Sequence, residues 1–164
     1  MGLEAWDIKF KLSSFNVIVF TLVIISYRII YMENSKDLSR FDNIKIRYRP
    51  IGEDEKLVTI SKTVNGNCME PILKDRERVN QEAISTTSPR EGDVGIILRD
   101  DGYRRFGIWG PLYNNEDRMI LSPNEGVGHG QIQFIHEKMI QLMIVIGRLN
   151  DKDYNFLLNE LRII

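Results

Sequence analysis

The chain has 164 residues, 43% hydrophobic and 27% charged, which supports one ordinary domain with a real core and excludes a disordered chain or two full-sized domains. Its 22 Lys and Arg against 23 Asp and Glu leave a net charge of -1, which excludes a protein that grips nucleic acid with its whole surface. One cysteine, Cys68, excludes an internal disulfide framework and a cysteine-only metal site, and two histidines, His129 and His136, leave little for zinc, so no metal or other cofactor is expected.

The first element in the chain is apolar. Leu12 to Tyr27 carries no charge, and its heart is Val17 to Ile25. A bilayer-spanning helix takes about 20 apolar residues, whereas a run of about 10–14 belongs more often to a core. This run falls between the two. Carrying it on to Met32 requires Arg28 to snorkel to a headgroup. Lys9 and Lys11 precede it as an anchor would have them, but Glu4 and Asp7 dilute their charge. Residues 1–41 thus read as an N-terminal segment, with a membrane anchor over 12–32 as one reading and a buried strand or helix as the other. A third reading starts the folded unit at Met32. The matching locations are cytoplasmic or membrane-anchored.

Short strands follow. Ile44, Ile46 and Tyr48 alternate with Lys45, Arg47 and Arg49, which predicts a strand with a cationic, solvated face, ended by Pro50 and Gly52. Val58, Ile60 and Val64 alternate with Thr59, Ser61 and Thr63 in a second strand leading to Gly66. Val94 to Leu98 reads as a buried strand, and Arg118 to Leu121, Phe134 to His136 and Met139 to Ile146 as further strands. Asp100-Asp101-Gly102 and the stretch Ser122 to Gly126 are turns. Trp6 and Trp109 read as packing residues, and Met139 and Met143 as core. After residue 150 the period changes: Tyr154, Leu157, Leu158 and Leu161 share a helix face, with Asn150 or Asp151 as cap. The expected fold is mostly β, barrel-like or sandwich-like, over 42–150, with a short C-terminal helix over 151–164.

The informative stretch is Asn65-Gly66-Asn67-Cys68-Met69-Glu70-Pro71. Gly66 lets the backbone turn tightly and leaves room for a substrate chain. Met69 can pack beneath the loop, and Pro71 fixes its exit. Cys68 would then stand at a strand end. On residue type alone, a lone cysteine is more often a small buried hydrophobe than a nucleophile.

Gly66 to Pro71 resembles the Gly-x-Ser-Met-x-Pro box of the LexA-like and signal-peptidase-like serine peptidases. The resemblance runs on through Ile72 to Val79, where Arg76 replaces the usual Gly. It continues through Glu91-Gly92-Asp93-Val94, Asp101-Gly102-Tyr103, Leu121-Ser122-Pro123-Asn124 and Ile144 to Arg148. It covers residues 58–149 and rests on the order and spacing of these pieces. It implies a β-rich fold, a Ser–Lys dyad, and peptide binding around Gly66, Met69 and Pro71. The short interval from the box to the last strand is closer to the LexA-like branch, whose domains dimerise.

The departures from that pattern define the expected function. Cys68 stands in the nucleophile position, and a thiol still needs a base or a lowered pKa. The stretch that should supply the lysine, Tyr103 to Trp109, has none. By spacing Arg105 is nearest, and a two-residue indel would move the position to Gly107. Arginine keeps its proton and cannot act as a base, although a guanidinium beside the thiol could stabilise thiolate. His129 or His136 could form a Cys–His pair. The X-Gly bonds upstream, Ile51-Gly52 and Asn65-Gly66, lack the small residue that self-cleaving repressors of this family cut after, and no helix-turn-helix pattern precedes residue 50. The expectation is a non-catalytic or degenerate peptidase homologue that binds a protein or peptide, with no direct nucleic-acid partner. The alternative is a Cys-dependent endopeptidase, membrane-tethered through 12–32. A third reading is a regulator that borrows DNA binding from a partner and adds Lys45, Arg47 and Arg49 as phosphate contacts.

Overall fold

Period-2 alternation builds β1 over Lys56–Thr63, and unbroken apolar runs build β3 over Asp93–Arg99 and β7 over Ile140–Arg148. The structure is a computed structural model, and it describes residues 38–125 and 130–163. The apolar run at 12–32, Trp6 and His129 lie outside the described residues. β2 (Arg78–Thr86), β4 (Arg104–Leu112), β5 (Asp117–Leu121) and β6 (Ile132–His136) complete one antiparallel sheet, in the order β1-β2-β7-β3-β4-β5-β6. β7, the last strand among the described residues, therefore lies at the centre, between β2 and β3. A helix, α1, follows over Asp151–Glu160. The protein is mostly β with a short C-terminal helix, as its patterning predicts. Among the described residues no helix is long and apolar enough to cross a membrane.

Both faces of the sheet are apolar. β4 sends Ile108 to one cluster and Trp109 to the other; β5 sends Met119 and Leu121 to the first and Ile120 to the second, as alternating side chains must. The first cluster takes in Met69, Leu73, Phe41 and the Tyr154, Leu157 and Leu158 face of α1. The second is built from strand residues, with Ile97, Ile135 and Met143 among them. Burial on both faces explains the continuous apolar runs of β3 and β7. At Gly95 the ladder shifts register, and an added Cβ would stand 2.0 Å from the Ile144 carbonyl oxygen, so only glycine fits. α1 starts at Asn150, whose side chain accepts from the Asp153 N–H at 2.7 Å.

The structure corrects the reading of residues 44–49. They form a single bridge, Arg47 with Arg148, rather than a strand. Tyr48 is 86% exposed and Arg49 3%, the reverse of the expected faces. The cause is an ion cluster. Arg49 grips both Glu55 oxygens at 2.6 Å, and its Nε lies 3.0 Å from Asp93 at the start of β3. Arg49 therefore belongs to no solvated stripe. Its hydrogen bonds hold the Glu55 carboxyl down to about 2, while burial pushes the Asp93 carboxyl up. Met139 is also half-exposed rather than core, whereas Met143 is fully buried.

Candidate functional site

The box loop leaves β1 and turns at Gly66, whose φ of 91° is left-handed. The Gly66 N–H donates to Asp75 Oδ1 at 2.8 Å. On the other side Asn124 clamps the loop: its N–H donates to the Cys68 carbonyl at 3.0 Å and its Nδ2 to the Asn67 carbonyl at 3.2 Å. Met69 is fully buried beneath, and its carbonyl accepts from the Leu73 N–H at 2.9 Å. Arg76 has a φ of 63°, the backbone region that glycine adopts without cost.

Cys68 is half-buried, with a free thiol. It lines a cleft of about 350 Å³ between the end of β1 and the start of β4, together with Lys62, Gly66, Arg104, Arg105 and Phe106. The structure thus brings Cys68, Gly66 and Arg105 to one cleft. Pro71 lines a separate groove of about 1050 Å³ with Lys45, Arg47 and Tyr48. Met69 lies below in the first cluster.

Both walls of the cleft are strand edges. Tyr103 accepts from the Arg99 N–H at 3.0 Å, so Tyr103 and Arg105 turn their backbone groups toward β3, and Arg104 and Phe106 turn theirs away. On that outer side β5 pairs with β4 only from Ile108 onward. Across the cleft, the Val64 N–H donates to Glu77 at 2.8 Å, which turns Val64 and Lys62 toward β2 and Thr63 outward. β1 is the last strand on its side of the sheet. Among the described residues, two backbone edges without a ladder partner therefore flank Cys68.

The side chains decide the chemistry. Arg105 pairs with Ile97 and Gln133 with Ile120, and both of those isoleucines belong to the second cluster. The Arg105 guanidinium leaves on that face, donating to Ser122 Oγ at 2.6 Å, to Gln133 and to the Phe106 carbonyl. Cys68 and Phe106 pack against the first cluster. The β4 side chains on the thiol's side of the sheet are therefore Arg104 and Phe106, and neither can act as a base. His136 sits on β6, 3.4 Å from a Glu116 oxygen, and does not line the cleft. Among the described residues Lys62 is the one amine that lines it, on an exposed side chain. Among the described residues no group of three His, Cys, Asp or Glu side chains could hold a metal.

Lys62, Thr63, Arg104 and Phe106 are the cleft residues that motif reading misses. The signal for Lys62 was its period-2 place on β1, and for Arg104 and Phe106 their place just after the Asp101-Gly102 turn. No protein-family model, curated protein or solved structure matches the chain.

Proposed function

We propose that the chain is a LexA-like peptidase-fold protein that has lost proteolysis and uses its cleft to hold an extended segment of a partner protein by strand addition. The observation that carries this reading is the pair of unpaired backbone edges, Thr63 on β1 and Arg104 to Phe106 on β4, on either side of one cleft. A strand laid between them gains main-chain hydrogen bonds with little dependence on its side chains. The loss of cleavage is supported by Arg104 and Phe106, neither of them a base, on the thiol's side of β4 and by the Arg105 guanidinium, which is committed to Ser122 and Gln133. A backbone amide needs an activated nucleophile and a proton acceptor within reach.

The test is binding of short fluorescent peptides of alternating Thr and Val to the full chain, followed by mass spectrometry of the peptide. Saturable binding, intact peptide, and unchanged affinity in Cys68→Ala fit the proposal. The same binding with a cut peptide overturns the non-catalytic half of it. The competing reading, a Cys68 endopeptidase, draws on Lys62 in the same cleft. It requires Cys68 to react with iodoacetamide faster than a cysteine tripeptide at neutral pH, and Lys62→Met to abolish that excess.

A further inference from the structure

We infer that the segment this cleft takes is acidic, with a carboxylate side chain lying between Lys62 and Arg104. This rests on the peptide-binding reading above and adds the chemistry of the peptide. One cation stands on each wall: Lys62 on β1 and Arg104 on β4, both exposed. Neither has a carboxylate within ion-pair distance among the described residues, whereas Arg99 and Arg118 on β3 and β5 have Asp101 and Glu137 at 2.7 and 2.6 Å. Among the described residues none that lines the cleft is acidic. Behind the wall, Arg105 is 8% exposed and bonds only to neutral groups. A buried guanidinium without a counter-charge raises the potential of its whole surroundings.

The register fixes where the acid falls. Lys62 is paired with Val79, which is buried in the first cluster, and Arg104 is two residues from Phe106, so both cations leave on the same side of the sheet as Cys68 and Phe106. Alternate residues on a strand stand about 6.7 Å apart. A bound strand that sets a carboxylate against Arg104 therefore sets its side chain two positions along against Phe106 and Ile96. The recognised pattern is acid, any residue, apolar residue.

The experiment uses the full chain and three fluorescent peptides of alternating Thr and Val, identical except for Glu, Gln or Lys at one central position. The Glu peptide is expected to bind about three- to tenfold more tightly than the Gln peptide, and the Lys peptide more weakly than both. The preference should shrink as salt rises from about 0.05 to 0.5 M. It should vanish in Lys62→Gln/Arg104→Gln, with the Gln peptide's affinity kept; both side chains are exposed, so the variant folds, and its thermal melt checks this. Equal binding of the three peptides, or a preference that survives in the double variant, overturns the inference and leaves the peptide reading standing. Binding of none overturns both. Displacement of the Glu peptide by millimolar phosphate or a short oligonucleotide assigns the cations to phosphate and also overturns it.

Discussion

Two arginines are buried among the described residues, and they are buried in opposite ways. Arg49 is 3% exposed and faces two carboxylates, Glu55 and Asp93. Arg105 is 8% exposed and faces a hydroxyl, an amide and a backbone carbonyl. The first charge is closed off within the protein and fastens residues 49–55 to the start of β3. The second is solvated by dipoles and leaves its positive field open toward the strand that walls the cleft. Burial alone therefore does not distinguish a fastening from a recognition element; the sign and number of the partners does.

The largest effect expected from that contrast is in Arg49→Ala. It removes the cation that bonds both Glu55 and Asp93 and should cost about 3–5 kcal/mol in urea denaturation. A cost near 1 kcal/mol would mean that the cluster is solvated after all. Acid titration sharpens the same point. Glu55 titrates at about 2 in the folded chain, below its ordinary value, so its contribution is present above about pH 4.5 and is lost as pH falls toward 2. Asp93, raised by burial, works in the opposite sense. Glu55→Gln should therefore flatten the acid limb of stability against pH, read as the urea midpoint between about pH 5 and 2.5.

Arg105→Met is expected to cost less, about 1–2 kcal/mol. It strands the buried Ser122 hydroxyl, but it also removes a charge that no carboxylate compensates. If it matches Arg49→Ala, the distinction between the two sites fails. The smallest effect is expected at Arg76. Its side chain is exposed and its φ is 63°, so Arg76→Gly should stabilise by about 0.5 kcal/mol through relief of left-handed strain. A destabilised variant in the same melt would show that the turn is held by the side chain instead.

Regular patterns made much of the fold legible. β1 follows its Val58 and Ile60 alternation, β3 and β7 their apolar runs, and α1 its cap and three-four spacing. β2 was harder, because Asn80, Gln81 and Glu82 interrupt the apolar positions Val79, Ala83 and Ile84. Residues 44–49 misled for a physical reason: a pattern of alternating charge cannot reveal that one of its cations will be paired and buried. The box around Cys68 was visible from Gly66, Met69 and Pro71, and Asn124 stood in a turn that the resemblance had already marked. Arg105 shows the limit. Spacing can place a residue on a strand, but a shift of one position sends it to the other face of the sheet, and only the pairing with Ile97 decides which.

The central position of β7 has a consequence for synthesis. Before residue 140 leaves the ribosome, the nascent chain holds a β1–β2 hairpin and a β3-to-β6 meander with no ladder between them. Translation must pass β7 before the keystone strand joins the halves, so a product terminated before residue 140 forfeits the link between them rather than one edge of the sheet.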